Sequence, residues 1–391
     1  MRLRFLTAGE SHGPALTVIV EGLPAGLRVD RATIDRELRR RMGGFGRGGR
    51  MKIESDTVEF LGGVRFGKTL GSPVSLLIRN RDHANWTVPM NPEGPHPGAE
   101  AARSVSRPRP GHADLAGALK FDTHDARDVL ERSSARETAS RTAAGALAKS
   151  LLSAAGIEVT SRTVAVGLAV APEFDEGSFD ALLELADDAP MRAVDEQTVQ
   201  RMIGAVESAR ERKDSVGGSF EVLVRGLPPG LGSHVHWDRR LDGRLGGAMM
   251  SIQAVKAVSI GEGVESAQRF GSEHHDGISY DATSGRFTRP TNRAGGIEGG
   301  MSNGEMLRVR CFFKPLATLP RPLPSIDLVT KQPFDAVRER TDTIPIVAAG
   351  VVGEAMAALV VADELLVKFG GDSLDETLRN LEAYRRQLAV Y

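Results

Sequence analysis

The pattern of apolar and polar positions along the chain predicts a mixed fold of strands and helices. Alternating and β-branched runs predict strands at 15–21, 57–61, 73–79, 157–171, 219–225 and 306–313. Helical patterning covers 31–42, 136–155, 195–212, 239–255, 345–369 and 372–389. The two kinds of element do not alternate regularly along the chain. The pattern therefore favours an α+β fold over a doubly wound parallel sheet.

The segment 344–366, IPIVAAGVVGEAMAALVVADELL, is the most apolar part of the chain. Its length would suit a membrane span. Glu354 in its middle and its many small residues favour a helix buried in the core instead. The first residues, MRLRFLTAGESHG, lack the long apolar stretch of a signal peptide. We therefore expect a cytoplasmic protein without membrane contact.

One strand-and-turn pattern occurs twice. VIVEGLPAGLRVD at 18–30 resembles VLVRGLPPGLGSH at 222–234, with Gly22 and Gly226 lying 204 positions apart. Each copy joins an alternating strand to a Gly-Leu-Pro turn and leads toward a helix-like stretch. We therefore predict one domain, 1–391, whose halves (about 1–200 and 201–391) are related by a pseudo-twofold axis. Chance similarity is the alternative, because no further sequence similarity between the two halves is evident outside these segments.

The composition limits the kinds of ligand. A formal net charge of −1 and a pI near 6.8 argue against bulk attraction to nucleic acid or anionic membranes. The 50 cationic residues nonetheless comprise 41 Arg and 9 Lys, and Arg is the better bidentate partner for phosphate and carboxylate. The excess fits an anionic ligand, although biased base composition or a hot habitat would also produce it.

Metal and disulfide chemistry is not expected. The single cysteine, Cys311, excludes an intramolecular disulfide and a zinc site with several cysteines. It lies in the apolar run VRCFF, which predicts a buried structural thiol. The histidines at 234, 236, 274 and 275 lack matching cysteines or a helical i, i+4 spacing.

Four segments combine glycine, arginine and titratable side chains. They are GESHG at 9–13, RRRMGGFGRGGRM at 39–51, RPRPGHADLAGALK at 107–120 and ERSSARETASRTAAGAL at 131–147. The glycines around His12 predict a tight turn, and two prolines stiffen the chain before His112. Ser133 or Ser134 can cap the Ala-rich helix, whose N-terminus beside Arg136 would form an anion cradle. Two Pro/Gly-rich stretches, 83–101 and 286–305, predict binding loops.

These segments have competing interpretations. The turn at His12 would suit a hydrolase triad, a metal site or an acid for a leaving group. We do not expect a Ser-His-Asp hydrolase, which requires a nucleophile elbow, or a P-loop. GGFGRGG does not follow a strand and open a helix, as a dinucleotide-binding turn would. The Arg-Gly loop could bind RNA or polyphosphate, but it is a single copy with one aromatic residue, Phe45.

SSARET could be only a capped helix. The interpretation that accounts for all four segments is an arginine-lined site for a small, multiply anionic substrate. Its two loop histidines would donate or accept protons near neutral pH.

Taken together, these segments resemble the chorismate synthase family. The resemblance extends to NRAGGIEGGMSNGE (292–305), KPLATLPRPL (314–323), RTDTIPIVAAGVVGE (340–354) and VKFGGDS (367–373). The motifs occur in family order from one end of the chain to the other. Thr341 in place of serine, and KFDTHD at 120–125 in place of the more usual KYG, are small departures that spare the titratable groups.

The resemblance implies a fold and a reaction. The fold is a layered β-α-β-α sandwich with internal pseudosymmetry, assembled as a homotetramer with a flavin in each subunit. The reaction is the anti-1,4 elimination of phosphate from 5-enolpyruvylshikimate 3-phosphate, which gives chorismate in the shikimate pathway. It needs reduced FMN, supplied by an external reductant, although no net oxidation occurs. A phosphate-eliminating lyase without flavin is the weaker enzyme alternative.

The resemblance also assigns residues. His12 corresponds to the histidine that protonates the departing phosphate, His112 to the one that protonates reduced flavin, and Asp342 to the carboxylate that acts on flavin N5. The implied FMN contacts are Arg132, Ser133, Ser134, Gln253, Ala254, Gly299, Lys314, Pro315, Leu316, Ala317, Thr318 and Arg340. Arg41 and Arg47 match positions of NADP contact, although an anion or substrate role suits Arg47 better. The expected substrate contacts are Ser11, Arg50, Arg109 and Arg136; no metal is implied, and Glu10 has no assigned role.

Overall fold

Two antiparallel sheets with helices between them form the body of the protein. This computed structural model describes residues 3–48, 55–93, 103–283, 285–339 and 341–391, and its elements are numbered in chain order. The first sheet has the spatial order β1 (Arg4–Ala8), β2 (Ala15–Glu21), β6 (Val74–Arg79) and β3 (Glu59–Gly62). The second has the order β10 (Val255–Ile260), β15 (Leu307–Phe313), β9 (Gly218–Arg225), β7 (Glu158–Val166) and β8 (Ala169–Val170).

The other elements of the described residues are helices and small hairpins. The hairpins are β4–β5 (Val64–Arg65, Lys68–Thr69), β11–β12 (Ser279–Asp281, Arg286–Thr288), β13–β14 (Ile297–Glu298, Met301–Ser302) and β16–β17 (Pro324–Ile326, Pro333–Asp335). The α-helices are α1 (Arg31–Met42), α2 (Asp114–Phe121), α3 (Arg127–Ser133), α4 (Thr138–Ala154), α5 (Phe179–Leu183), α6 (Glu196–Glu211), α7 (Leu241–Met250), α8 (Gly271–His274), α9 (Ile346–Phe369) and α10 (Leu374–Leu388). Short 3-10 helices occupy Arg81–Asn85, Ala135–Glu137, Glu176–Ser178, Trp237–Arg239 and Gly263–Gln268.

The elements stack in four layers. Helices α1, α4, α7 and α9 lie between the sheets, with α4 against β2 and α9 against β7 and β9. Along β9, Val222 faces α9, whereas the next residue, Leu223, packs with Phe179 and Leu182 of α5. Because neighbouring strand residues point to opposite faces, α5 lies on the outer side of the second sheet. The sequence sheet, helices, sheet, helices confirms the predicted α+β sandwich.

Helix α9 is the buried centre of the fold. Its length and composition would allow it to cross a membrane, but its apolar window is 100% buried inside the protein, which confirms the predicted core helix. Glycines on its neighbours and on α9 itself allow close packing. A Cβ on Gly145 of α4 would lie 2.3 Å from the Cβ of Ala355, and one on Gly353 would lie 2.6 Å from the Phe220 ring.

A fully buried carboxylate, Glu354, sits in the middle of α9. Arg40 of α1 donates to both of its oxygens at 2.8 Å, and the Ser161 hydroxyl of β7 donates at 2.6 Å. Lys149 of α4 also donates to it, and the Arg192 guanidinium lies 3.8 Å away. Burial raises the pKa of Glu354, but the nearby cations lower it by a larger amount. The pKa is therefore below its ordinary value and the carboxylate is ionised. One charge thus links three helices and a strand.

The two Gly-Leu-Pro segments have the same local structure. Gly22 after β2 and Gly226 after β9 have φ values of +96° and +88°, and Gly26 and Gly230 have values of +84° and +86°. The leucines that follow these glycines, Leu23, Leu27, Leu227 and Leu231, are all buried. Each segment leads to a helix, α1 or α7. The similarity of these segments is therefore structural as well as sequential, whereas the relation of the complete halves stays a prediction.

Most predicted elements agree with the structure to within a few residues. The main error is at 239–255, where the helix ends at Met250 and Val255 already begins strand β10. The apolar SIQAV segment continues the helical pattern, but the β-branched residues after it pair with β15. Strand β1 and helices α2 and α3 were not predicted, and the predicted loop 286–305 contains short hairpin strands. Cys311 is buried as expected, and burial raises the pKa of its thiol to about 12.

The contact between α4 and α9 gives a stability prediction. Gly145→Ala should lower the free energy of unfolding by about 1–3 kcal/mol, because the added methyl group has no room against Ala355. Gly204 of α6 is the matched control, since a Cβ there would meet nothing within 4 Å. Gly204→Ala should instead stabilise the protein by about 0.5–1 kcal/mol. Denaturant unfolding measures both, and equal effects of the two substitutions would contradict the close approach.

Candidate active site

The GESHG segment forms the turn between β1 and β2. Gly9 has a φ of +104°, and a Cβ there would lie 2.4 Å from the carbonyl oxygen of Ala15, so the position requires glycine. The side-chain amide of Asn80 donates to the carbonyl oxygens of Glu10 (3.0 Å) and Gly13 (2.8 Å). The predicted tight turn is confirmed, and one buried side chain holds both of its ends.

His12 is held against the carboxylate of Glu131 in α3. Its ring Nδ1 lies 2.9 Å from both carboxylate oxygens, and its backbone N–H donates to Oε2 at 2.8 Å. The ring stacks on Trp86 with the centroids 3.9 Å apart. The second ring nitrogen, Nε2, lies 4.0 Å from Oδ2 of Asp82. Contacts on both the edge and the face of the ring therefore fix its orientation.

Two arginines contact the Trp86 ring. The guanidinium of Arg103 lies 4.0 Å from the ring centroid and that of Arg127 lies 5.0 Å from it. Arg127 also donates to Glu131 at 3.1 Å and to Glu339 at 3.2 Å. Arg103 contacts no carboxylate within the described ranges, and its φ of +61° is unusual for a non-glycine residue. Two guanidinium groups therefore lie against Trp86, the residue on which the His12 ring stacks.

His112 is held by its own carboxylate, Asp114, two residues further along the chain. Nδ1 of His112 forms a short contact with Oδ1 of Asp114, and Arg109 donates to the same carboxylate through Nε (2.8 Å) and Nη2 (3.0 Å). Burial raises the pKa of Asp114, but the hydrogen bonds from His112 and Arg109 lower it much more. The loop therefore carries an ionised carboxylate that orients the side chains of both His112 and Arg109.

These groups line one cavity of about 480 Å³. Its walls include Ser11, His12, Asp82, Trp86, Arg103, Arg109, His112, Arg127, Ser134 and Glu339. The predicted residues Ser11, His12, Arg109, His112 and Ser134 are thus brought together from distant parts of the chain. A cavity with two carboxylate-held histidines and several guanidinium groups can bind an anion and transfer protons to it.

Arg41 and Arg136 converge on the buried carboxylate of Asp56. Oδ2 of Asp56 lies 2.6 Å from Nη1 of Arg136 and 3.5 Å from Nη1 of Arg41. Arg136 also donates to Oδ1 of Asn80 at 2.9 Å, and Arg41 donates to the hydroxyl of Thr138 at 3.0 Å. These contacts connect both arginines to Asn80, the residue that holds the GESHG turn. The ligand contacts of the two arginines stay predictions.

Asp342 faces the Arg-Gly loop. Its Oδ1 accepts a hydrogen bond from the backbone N–H of Gly48 at 2.6 Å, and its Oδ2 lies 3.1 Å from Nη1 of Arg47. Burial lowers the pKa of Arg47, and the Asp342 carboxylate opposes that effect. Two contacts thus hold the predicted catalytic carboxylate. Arg50 and Arg340, predicted for substrate and FMN, lie outside the described residues.

Part of the predicted flavin set lines a second cavity of about 360 Å³, which includes Arg132 and Gln253. Arg132 donates to the carbonyl oxygens of Thr7 (2.8 Å) and Gly9 (3.1 Å). Gln253 donates to Glu137 at 3.3 Å, and its buried Oε1 has no hydrogen-bond partner among the described residues. This oxygen is an acceptor without a donor from that part of the chain.

Ser133 and Ser134 follow Arg132 directly. Ser134, rather than Ser133, caps the 3-10 turn that starts α4, by accepting a hydrogen bond from the backbone N–H of Arg136. Because Ser134 also lines the first cavity, this stretch passes from one cavity to the other.

The segment 314–318 connects the second group of predicted flavin residues to His112. The backbone N–H of Lys314 donates to the carbonyl oxygen of Ala254 at 2.9 Å, and its Nζ donates to that of Gly111 at 2.9 Å. The hydroxyl of Thr318 accepts from Arg109 at 3.0 Å. Pro315, Leu316 and Ala317 lie between these contacts. Two segments, 253–254 and 314–318, therefore lie side by side and form one strip that ends beside His112.

Gly299 lies apart from this strip. It is in the β13–β14 turn, where the carbonyl oxygen of Gly300 accepts from the backbone N–H of Leu241 at the start of α7. Gln253 follows the opposite end of that ten-residue helix, about 15 Å away along its axis. The FMN contact implied for Gly299 stays a prediction that the strip itself does not support.

Two short motifs show that spacing alone misleads. GESHG and GMSNG (300–304) both have the GxSxG spacing of a hydrolase elbow, so the expectation of no hydrolase cannot rest on sequence. An elbow joins a strand to a helix, but Ser11 lies between two antiparallel strands. Ser302 is in β14, and its hydroxyl is fixed between Leu231 N–H (2.8 Å) and the Pro228 carbonyl oxygen (2.7 Å).

The second motif is GGVRFGKT at 62–69, which has the spacing of a P-loop. It was not expected, and its structure is that of the β4–β5 hairpin, with no helix after Thr69. The Thr69 hydroxyl donates to the carbonyl oxygen of Pro24 at 2.6 Å and is buried. A phosphate-binding helix N-terminus is therefore absent from this described segment. GGFGRGG follows helix α1 rather than a strand, as the sequence indicated.

Sequence reasoning missed several residues that line the cavity or hold its two histidines. Asp114 could have been found, because it lies two residues after His112 in a polar turn. Trp86 lies in a predicted binding loop, which is a weaker signal. Glu131 lies 119 positions from His12, and no local pattern connects them. Asp82, Arg103, Arg127 and Glu339 were likewise not predicted.

Comparison with known proteins gives a consistent family. The sequence model of the chorismate synthase family matches residues 3–366. The chorismate synthase of Solibacter usitatus (strain Ellin6076) is 53% identical over 392 residues and covers 100% of both chains. That of Aquifex aeolicus (strain VF5) is 50% identical, covering 98% of this chain and 97% of that protein. A crystal structure of chorismate synthase aligns with a TM-score of 0.80 at 40% identity, covering 100% of this chain and 99% of that one.

These matches show that the protein is a carbon–oxygen lyase that acts on a phosphate-bearing substrate. The chain belongs to the chorismate synthase family, whose reaction is a step of the shikimate pathway.

The His112 loop generates a prediction. Asp114→Asn should lower the free energy of unfolding by about 3 kcal/mol, because the Arg109 guanidinium would stay buried without its counter-charge. The difference from wild type should shrink as pH falls below about 4, since a carboxylate with a lowered pKa stabilises only while ionised. Unfolding measured at several pH values tests this. Asp180→Asn, which disrupts the exposed pair with Arg225, is the control and should change stability far less; an equal effect would contradict the argument.

Proposed function

We propose that this protein catalyses the anti-1,4 elimination of phosphate from 5-enolpyruvylshikimate 3-phosphate, giving chorismate, with reduced FMN and no net oxidation. The observation that carries the proposal is His12, whose ring lines the arginine-rich cavity with Nδ1 bonded to an ionised carboxylate. A departing phosphate needs a proton and a positive environment, and this arrangement supplies both. Membership of the family supports the same reaction.

The chain's own groups fit a flavin. Gln253 has a buried acceptor without a partner among the described residues, Arg132 lines the same cavity, and the strip from Ala254 to Thr318 leads to His112. The left-handed backbone of Ala254, with a φ of +68°, is the kind of strained position found where a chain contacts a ligand. When bound, reduced flavin supplies electron density and a basic N5.

Each catalytic residue then has a defined task. His12 donates a proton to the phosphate oxygen as the carbon–oxygen bond breaks. His112, oriented by Asp114, holds a proton at the end of the strip of predicted flavin residues. Asp342, fixed by Gly48 and Arg47, would hold the proton that corresponds to the ring hydrogen lost in the elimination, as the carboxylate assigned to act on flavin N5.

The substrate's phosphate and carboxylates need guanidinium partners. Arg109 and Arg127 line the cavity, but they already form ion pairs with Asp114 and Glu131. They therefore stabilise the cavity wall as well as contribute positive charge to it. Arg103 is the cavity-lining arginine with no carboxylate partner in the described part of the chain, and we assign it to the substrate together with Arg47 and Arg50. NADP contact of Arg41 is not part of this proposal, because its guanidinium is buried beside Asp56 and Thr138.

The proposal includes a cytoplasmic homotetramer that receives reduced flavin from an external source. The family resemblance supports the assembly. It is tested separately from the chemistry, by light scattering of the purified protein.

Anaerobic turnover tests the reaction itself. Purified protein with 5-enolpyruvylshikimate 3-phosphate and chemically reduced FMN should release phosphate while the flavin absorbance shows no net oxidation. Omission of the flavin is the control. Absence of phosphate with flavin present would disprove the proposal, and equal release without flavin would indicate the flavin-independent lyase.

Removal of the proposed acid gives a second prediction. His12→Ala should reduce the rate of phosphate release by about 10²–10⁴-fold, the usual contribution of a general acid. His236→Ala is the matched control, because His236 is exposed and pairs with Asp238 away from the cavity; it should leave the rate unchanged. A rate near that of wild type for His12→Ala would make His12 a structural residue.

A further inference from the structure

A carboxylate that the family resemblance does not assign, Glu131, makes the closest polar contacts to His12. We propose that Glu131 is a positioning residue that fixes the tautomer of His12 and stabilises its protonated form, so that Nε2 is the nitrogen that delivers the proton. This inference rests on the proposed role of His12 as the acid for the departing phosphate.

Glu131 holds both the backbone and the ring of His12. Oε2 accepts from the backbone N–H at 2.8 Å, and both oxygens lie 2.9 Å from Nδ1. The backbone carbonyl oxygen of Glu131 also accepts from the N–H of Ser11 at 3.1 Å. These contacts come from one residue of α3 to two consecutive residues of the turn. Glu131 therefore fixes the backbone of the turn as well as the ring of His12.

Glu131 is ionised in this position. Its side chain is 1% exposed, and burial raises its pKa. The hydrogen bonds and positive charge of His12 and Arg127 outweigh that effect and lower the pKa below its ordinary value. An ionised carboxylate accepts hydrogen bonds only. Nδ1 of His12 must therefore carry a hydrogen in both the neutral and the protonated ring.

The proton balance follows from that tautomer. The protonated ring carries hydrogens on Nδ1 and Nε2. Transfer of the Nε2 hydrogen to a phosphate oxygen leaves a neutral ring that still donates from Nδ1 to Glu131. The carboxylate gains no proton during this step, so its charge stabilises the protonated ring before the transfer and its hydrogen bond orients the ring afterwards.

Other charged groups surround the pair. The 3-10 helix Arg81–Asn85 contributes Asp82, 4.0 Å from Nε2, and His83, whose Nδ1 lies 2.9 Å from the His12 carbonyl oxygen. Helix α3 contributes Arg127, and Arg103 lies over the Trp86 ring on which His12 stacks. The cavity walls add Arg109, His112 and Glu339. Glu131 is the carboxylate that bonds directly to the ring, so its removal has the largest expected effect.

The test compares wild type, Glu131→Gln and Glu131→Asp in the anaerobic phosphate-release assay from neutral to alkaline pH. A general acid must be protonated, so activity falls as pH rises. Without the counter-charge, the decline in kcat should begin about one unit lower in pH for Glu131→Gln. Its maximal kcat should fall by about 10- to 100-fold with little change in KM. Glu131→Asp retains the charge and should keep the wild-type pH dependence.

Glu221→Gln is the matched control. Glu221 is a fully buried carboxylate bound by Arg162 at 2.8 Å and Arg308 at 3.1 Å, on the outer face of the second sheet. Its substitution should leave the pH dependence unchanged. An unshifted profile for Glu131→Gln, or the same shift in both variants, would overturn the inference. If wild type releases no phosphate at all, the proposed function has failed instead.

A spectroscopic measurement provides a test that does not depend on activity. In histidine-labelled protein without flavin, nitrogen chemical shifts report which ring nitrogen carries hydrogen, and His12→Gln assigns the signal. Neutral His12 should be the Nδ1–H tautomer in wild type and a mixture in Glu131→Gln. An Nε2–H tautomer in wild type would overturn the inference.

Discussion

The buried charge of Glu354 is the constraint on which the arrangement of layers depends. An ionised carboxylate inside a protein is tolerated only with charged and hydrogen-bonding partners. Here they come from α1, α4 and β7, and each must reach the middle of α9. The position of α1 then matters for the cavity, because Arg40 points to Glu354 while the next residue, Arg41, reaches Asp56 and Thr138. Adjacent residues of one helix thus connect the core to the site.

From Asp56 the connection continues to His12. Arg136 bridges Asp56 and Asn80, and the Asn80 amide holds both ends of the GESHG turn. On the other side, Glu131 holds the histidine itself. The two histidines of the cavity are organised in the same way, each with Nδ1 against a buried carboxylate that an arginine also binds. Such pairs keep side chains in place before a substrate arrives, which is the condition for efficient electrostatic catalysis.

The sequence predicted the elements and the local geometry well, because these depend on short-range patterns. Periodicity located α1 and α9, and glycine chemistry located the turn at His12. What it could not predict was pairing across long sequence separations. Arg109 and Arg136 were expected to contact the substrate, and each also has a buried carboxylate partner, Asp114 or Asp56, that the sequence did not indicate. The number of arginines in a segment says little about which of their charges remain for a ligand.

The glycines around His12 were expected to form a tight turn, and Gly9 fixes where that turn lies. Gly9 supplies a left-handed conformation and a close approach to Ala15 that no side chain would permit. This approach brings the turn under Asn80 and against α3, where Glu131 can reach both the backbone and the ring of His12. A bulkier residue at position 9 would displace the turn, and the short contacts to Glu131 would be lost with it. The glycine therefore acts on the proposed proton donor through packing, at a distance from any substrate.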